Sequence, residues 1–359
     1  MIKVLHIVEA FSGGVLGALQ TLVNGMSEDF HSYILYNARQ ESPLEPQKIF
    51  KPEVTLIRAQ HLTREIKPKE DFAAMREVRR VFREVNPDVV HLHSTKAGAI
   101  GRLALNGKKV PIFYSPQGYS FFMPDCSESK RKMYHLLETM LGYRPSITVA
   151  SCKGEYDSAK IVSRRATFIN NGINTDELDH FGLDFNKRPK EISVCTLGRI
   201  VPQKAPEMFN RIAEAFPEVK FVWIGGGELR EKLTSPNIEV TGWLTKEAAL
   251  NKLMESSVFM LTSLYEGLAF SIMESMYLNR LCIVSKIPGN VDAIENGKTG
   301  YVCESLDDYI HVIRQLLDNG IDSRMVEAAH ARVVKELNQT VMADRYEQLY
   351  LKEIEALRG

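Results

Sequence analysis

The sequence predicts an α/β protein made of two doubly wound parallel-sheet domains. Short β-branched runs alternate with helix-length amphipathic segments along the chain, the pattern of repeated βα units. The rhythm breaks once, at FINNGINTDELDHFGLDFNKRPKEI (168–192), where turn residues and mixed charge replace it, and then resumes. A length of 359 residues also favours two domains over one large one.

In the first half the expected strands are IKVLHIV (2–8), YILY (33–36), VTLI (54–57), VVHLH (89–93), IFYS (112–115) and ITVA (147–150). Helical patterns such as FAAMREVRRVFREV (72–85) and KRKMYHLLETML (130–141) lie between them. A boundary is expected near residues 175–190. Beyond it come ISVCTLG (192–198), VKFVWIG (219–225), IEVTG (238–242), VFMLT (258–262) and LCIVS (281–285). The segment 341–359 reads as one amphipathic helix with Val341, Tyr346, Leu349 and Tyr350 as its buried stripe. Sheets of this kind bind ligands beyond the carboxyl ends of their strands, so the chemistry is expected in the loops that follow strands.

Composition narrows the classes. Hydrophobic residues are 44% and charged residues 25%, an ordinary globular balance, and the net charge of zero argues against nucleic acid as a partner. Residues 1–182 nevertheless hold 24 Lys and Arg against 20 Asp and Glu, a net +4 balanced by −4 in the rest. The excess gathers at Arg76, Arg79, Arg80 and Arg83 and at Lys130, Arg131 and Lys132. These are either solvated helix faces or surfaces that attract an anionic membrane or an acidic acceptor. Cys126, Cys152, Cys195, Cys282 and Cys303 are scattered without a C-x-x-C, as suits a reducing compartment and no structural zinc. The start, MIKVLHIVEA, is too short an apolar run for a signal peptide, and no stretch is long enough to span a bilayer. A cytoplasmic location is expected, with peripheral membrane contact as an extension of it.

Four stretches carry candidate chemistry. EAFSGGVLGALQTL (9–22) places Gly13 and Gly14 at a strand-to-helix turn, where free N–H groups hold a phosphate or the glycines merely make a tight turn. It lacks the spacing of a dinucleotide fingerprint. TLGRIVPQKAPEMF (196–209) puts Arg199 and Lys204 ahead of a helix that Pro206 opens. Two cations oppose the positive end of a helix dipole unless an anion such as a diphosphate joins them, or unless they are simply exposed loop residues. The glycine turn of VWIGGGELREKL (222–233) is weak evidence alone. Finally, YEGLAFSIMESM holds Glu266 and Glu274 eight residues apart with no charge between them. A carboxylate accepts two hydroxyl hydrogens from a vicinal diol, so the pair suits a ligand rich in hydroxyls, a ribose and a sugar. The alternative is a solvated Glu266 and a Glu274 that complements the helix dipole.

Taken together, these strings resemble the retaining family-4 glycosyltransferases. YEGLAFSIMES has the E-x7-E spacing, preceded by GRIVPQK and IGGGELREKL and followed by IPGNVDAIENGKTGYV. In the first half PDVVHLHSTKAGAIGRLA, SPQGYSF, ASCKGEYD and NNGIN agree in order, so the likeness covers essentially the whole chain and is closest to the branch that builds bacterial capsule, exopolysaccharide or O-antigen repeats. The resemblance implies the GT-B architecture: Rossmann-like domains at 1–180 (acceptor side) and 181–338 (nucleotide sugar), facing across a cleft, with the helix 339–359 returning to the first. It implies a nucleotide sugar as donor, no cofactor and no bound metal. Arg199 and Lys204 would hold the diphosphate, Glu266 the donor sugar near the reacting centre and Glu274 the ribose. Gly13 and Gly14 would let the first domain approach the phosphates, and the Gly242–Trp243–Leu244 turn would lie by the base.

The chain departs from the family at Gln117, where many relatives carry a histidine that contacts the donor sugar. Glutamine hydrogen-bonds but takes no proton. Ala205 stands where glycine is common, a difference of less weight. His93, Ser94 and Lys96 end a strand and are either acceptor contacts or a core histidine and a capping serine. The function expected is retaining transfer of a sugar, from a UDP-sugar by preference, to a lipid-linked or soluble bacterial surface glycan. A nucleotide-sugar epimerase and a non-catalytic nucleotide-sugar-binding subunit are the alternatives.

Overall fold

A computed structural model describes residues 1–38, 42–63, 65–122, 127–182, 189 and 191–358. Cys126 and part of the expected boundary segment lie outside these. The chain forms two compact units, one of residues 1–122, 126–172 and 339–359 and one containing residues 173–338.

In unit 1 the order is β1 (Ile2–Val8), α1 (Gly13–Gly25), β2 (Phe30–Tyr36), β3 (Thr55–Arg58), α2 (Pro68–Val85), β4 (Val89–His93) and α3 (Thr95–Ala104). It continues with β5 (Ile112–Ser115), α4 (Glu128–Gly142), β6 (Ile147–Ala150), α5 (Lys153–Val162) and β7 (Ala166–Phe168). The seven strands lie in the order β3-β2-β1-β4-β5-β6-β7, all parallel. Order reverses between β1 and β4, so the loops after these two strands open at the switch point where such sheets bind ligands. β4 is buried along its whole length, the continuous run expected of a central strand covered on both faces.

Unit 2 follows with α6 (Thr175–His180), β8 (Ser193–Leu197), α7 (Pro206–Glu214), β9 (Lys220–Ile224), β10 (Ile238–Val240), α8 (Lys246–Met254) and β11 (Val258–Leu261). Then come α9 (Phe270–Tyr277), β12 (Leu281–Ser285), α10 (Pro288–Ala293), β13 (Tyr301–Cys303), α11 (Leu306–Asn319) and α12 (Ser323–Glu336). Its six parallel strands run β10-β9-β8-β11-β12-β13, with the switch between β8 and β11. Pro206 opens α7 with its fixed φ and no N–H to leave unpaired. The core is Phe209, Phe221, Trp223 and the aliphatic residues of β8, β11 and β12.

The last helix, α13 (Gln339–Arg358), belongs to unit 1. Its buried face is Met342, Ala343, Tyr346, Tyr350 and Ile354, with Val341 and Leu349 only half-buried. The stripe is thus rotated from the expected one, because the hydroxyl of Tyr350 reaches His91 Nδ1 at 2.6 Å and that of Tyr346 lies 3.3 Å from Ser115 Oγ. β7 and β13, three residues each, lie outside the expected strands.

Candidate active site

In unit 2 the site grows from the loop after β8. Gly198 turns the chain at φ +150°, and Arg199 emerges exposed, its guanidinium bonded to no described residue. The glycine run after β9 holds this turn by close approach. A Cβ at Gly225 would meet the Gly198 carbonyl oxygen at 2.2 Å, and one at Gly227 the Ile200 carbonyl oxygen at 2.3 Å. The Ile200 N–H donates to the Gly226 carbonyl (2.9 Å) and the Leu229 N–H to that of Ile200 (3.2 Å). Backbone packing around Arg199 is the physical reason for these glycines.

A single 3-10 turn, Pro202–Lys204, follows. Ala205 then takes φ +46° and ψ 63°, a left-handed conformation that strains any residue with a Cβ. The departure from glycine at this position therefore carries a conformational cost that the sequence did not reveal.

Lys204 Nζ lies 2.7 Å from Glu266 Oε1, both side chains largely shielded from solvent. Ser263 Oγ donates to the same oxygen at 2.8 Å, and Gln203 Nε2 donates to Oε2 at 3.2 Å and to the Tyr265 carbonyl at 3.0 Å. Lys204 is anchored in turn, its carbonyl accepting from Thr262 Oγ1 at 2.7 Å. Glu266 is therefore a fixed carboxylate with charge-assisted bonds to both oxygens. Below it, Gly289 at the start of α10 packs so tightly that a Cβ would lie 1.6 Å from the Gly267 carbonyl oxygen. Gln203, Ser263 and Gly289 are residues that motif reasoning passed over. Each stands inside or beside a quoted string, but only the folded contacts give it work.

Glu274 is buried in the second turn of α9. Burial pushes its carboxyl pKa up, and Glu177 adds to that, while Lys246, whose Nζ is 3.8 Å away, pulls it down. Lys246 is itself held by Glu177 at 2.7 Å. Apart from this ion pair the buried carboxylate accepts no hydrogen bond from a described residue, and a diol ligand would supply donors. The turn after β10 has Gly242 at φ +73° and leaves Trp243 68% exposed, with Leu244 also at the surface.

In unit 1, Gly13 begins α1 at φ +56°, and a Cβ at Gly13 or Gly14 would meet nothing within 4 Å. Ser12 makes no side-chain cap, so no hydroxyl competes for the N–H groups of the first turn. Gln117 sits half-buried at φ +56°, its Oε1 3.5 Å from Asn171 Nδ2. The loop that carries it is tied by Glu155, which accepts from the Gly118 N–H (2.6 Å), the Ser151 N–H (2.6 Å) and Ser151 Oγ (2.8 Å). Glu155 is buried, and burial raises its pKa.

The three acceptor-side candidates are engaged inside this unit. Lys96 Nζ pairs with Asp71 Oδ1 (2.5 Å) and donates to the Glu65 carbonyl. Ser94, at φ +80°, donates to Glu9 Oε2 at 3.4 Å. His93 is buried against His6, Nε2 to Nδ1 3.1 Å, and its ring centre lies 4.0 Å from that of His91, tilted by 36°. His6, His91 and His93 are, among the described residues, a group close enough to share a metal ion. However, both ring nitrogens of His91 are taken, by Tyr350 and by Ser115 Oγ at 2.9 Å, so the trio fits a hydrogen-bonded core better than an open ligand set. Burial holds His6 down to about 3 and both partners well below the usual imidazole range, with mutual repulsion adding to it at His91 and His93.

Two parallel-sheet units with alternating helices, the second carrying an E-x7-E carboxylate pair beside a basic loop, define the GT-B class of fold. Comparison with known proteins agrees. The profile "Glycosyl transferase 4-like domain" matches residues 13–172 and "Glycosyl transferases group 1" matches residues 191–319. The UDP-Gal:alpha-D-GlcNAc-diphosphoundecaprenol alpha-1,3-galactosyltransferase of Escherichia coli is 26% identical over 330 residues, 81% of this chain and 82% of that one. Sucrose-phosphate synthase from Thermosynechococcus elongatus superposes with a TM-score of 0.80 at 15% identity, over 99% of this chain and 100% of its own. Anabaena HepE in complex with UDP-glucose gives 0.76 at 13% identity, over 98% and 100%. The chain belongs to the family-4 glycosyltransferases.

Proposed function

We propose that the protein transfers a hexosyl or N-acetylhexosaminyl group, with retention and without a metal, from a UDP-sugar to a lipid-linked bacterial surface glycan at the cytoplasmic face of the membrane. The observation that carries this is the Glu266 cluster: a carboxylate held at both oxygens, one of them by Lys204 at 2.7 Å, on the same unit as the unpartnered Arg199. Arg199 supplies a planar fork and Lys204 a point charge for the donor diphosphate, which neutralises the leaving group as a metal does elsewhere. Glu266 orients the sugar hydroxyls, and Glu274 accepts those of the ribose. The bond from the anomeric carbon to the phosphate oxygen breaks as the bond to the acceptor oxygen forms on the same face. The acceptor proton passes to the departing phosphate, so Gln117, which takes no proton, is no obstacle. Gly13 and Gly14 leave the first turn of α1 open to an anionic group, and the Gly242–Trp243–Leu244 turn borders the base.

A likeness to an enzyme whose name specifies UDP-Gal and a diphosphoundecaprenol acceptor supports the donor and acceptor class. The test is incubation of the purified protein with UDP-Gal, UDP-Glc and UDP-GlcNAc and a GlcNAc-diphospho-lipid, in EDTA, with NMR of the product anomer. A retained linkage formed in EDTA supports the reading. An inverted linkage, or an epimerised UDP-sugar without transfer, overturns it.

A further inference from the structure

α4 is built inside out. Of its residues only Glu138, Leu141 and Gly142 are buried, while Met133, Leu136, Leu137 and Met140 are exposed, Leu136 at 59% and Met140 at 63%. At ~100° per residue these four fall within one arc of the helix. Leu141 and the contact of His135 with Phe121 help to seat the helix, and a buried polar cluster completes it. Glu138 Oε2 accepts from Arg102 Nη2 at 2.8 Å and Oε1 from the Tyr114 hydroxyl at 2.7 Å, with the guanidinium 4.0 Å over the Tyr114 ring. The apolar arc is thus left over from folding. Contiguous exposed apolar surface marks an interaction site.

The charges say what covers it. Lys130, Arg131 and Lys132 open the helix and Arg144 follows it, all exposed, against a single exposed carboxylate, Glu128, which pairs with Lys132. Glu138 does not count, being neutralised by Arg102. Both ends of the helix are therefore cationic, and any pairing of two copies through this arc sets cations against cations. An apolar face rimmed by cations, with Tyr143 at one end, complements an anionic bilayer. The arginines of α2 line an open groove of about 960 Å³ but are tied within the fold: Arg79 Nε donates to the Ala104 carbonyl and Arg80 pairs with Glu84.

We propose that α4 is the membrane-docking surface, lying in the plane of an anionic phospholipid interface with Met133, Leu136, Leu137 and Met140 in the acyl boundary and Lys130, Arg131 and Arg144 on the headgroups. This deepens the peripheral location proposed above and rests on it. The experiment is flotation of the whole protein with phosphatidylglycerol vesicles and with phosphatidylcholine vesicles, comparing wild type with L136E/L137E and with K130E/R131E. Transfer to a water-soluble acceptor is measured alongside, and sedimentation velocity without vesicles reports self-association. Binding to phosphatidylglycerol that falls by ~100-fold in L136E/L137E, and falls in K130E/R131E, with soluble-acceptor turnover unchanged, is the expected result. Equal binding by L136E/L137E overturns the proposal, as does a wild-type dimer that the same change dissolves. A wild type that floats with neither vesicle overturns it too, and its turnover of the soluble acceptor then tells whether the glycosyltransferase reading stands.

Discussion

Acid should destabilise unit 1 through its three buried imidazoles. Burial depresses the native pKa of His6 from 6.5 to about 3 and those of His91 and His93 well below 6.5. As pH falls below 6.5 the unfolded chain takes up protons that the native state refuses, so stability is lost with acidification. His6 contributes a slope of about 1.4 kcal/mol per pH unit, and at pH 5 a loss of about 2 kcal/mol. His91 and His93 add losses of the same sign, against a domain stability of only about 5–15 kcal/mol. Glu155 works the other way, because its raised pKa makes the native state the better proton acceptor. The assay is hydrogen exchange by mass spectrometry in urea on peptides from β1 and β4, between pH 8 and 5. Trp223 and Trp243, the two tryptophans, both lie in unit 2, so their fluorescence follows that unit as an internal control. His6→Gln should reduce the slope for unit 1 by about 1.4 kcal/mol per pH unit. Unit 1 stability that is flat from pH 8 to 5, or a slope untouched by the substitution, refutes the reasoning.

Other outcomes follow from the same geometry. Glu266→Ala should abolish turnover while UDP binding by calorimetry stays within a few-fold, and a variant as active as wild type removes Glu266 from the site. Ala205→Gly should raise the unfolding free energy of unit 2 by about 1 kcal/mol, read from tryptophan fluorescence in urea, because it relieves a left-handed alanine. Wild-type affinity for UDP should fall on acidification as the raised pKa of Glu274 is crossed and its carboxylate is protonated. Glu274→Gln should bind UDP more weakly at neutral pH and without that pH dependence, so parallel profiles would exclude a ribose contact.

Most of the sheet was legible because central parallel strands are continuous apolar runs: VVHLH and LCIVS are strands over the expected residues, Val89–His93 and Leu281–Ser285. The E-x7-E pair was legible because an isolated carboxylate in an apolar stretch requires an explanation. What the sequence hid were interactions between distant residues. Nothing near 130–141 announces that Glu138 turns inward, because the cause is Arg102, 36 residues away. The rotation of α13 comes from a bond between His91 and Tyr350, 259 residues apart. The engagement of Lys96 by Asp71 is likewise invisible to local pattern.

The placement of α13 has a consequence for synthesis. Val4, Leu22, Met26 and Phe113 share a core with Met342, Tyr346, Tyr350 and Ile354, so one side of the first sheet stays only partly covered until those residues leave the ribosome. At ~5–20 residues per second the wait from residue 172 to residue 354 lasts roughly 10–35 seconds. Unit 2 is complete as a sequence before unit 1, so the nascent chain should close its second half first and need a chaperone to shield its first.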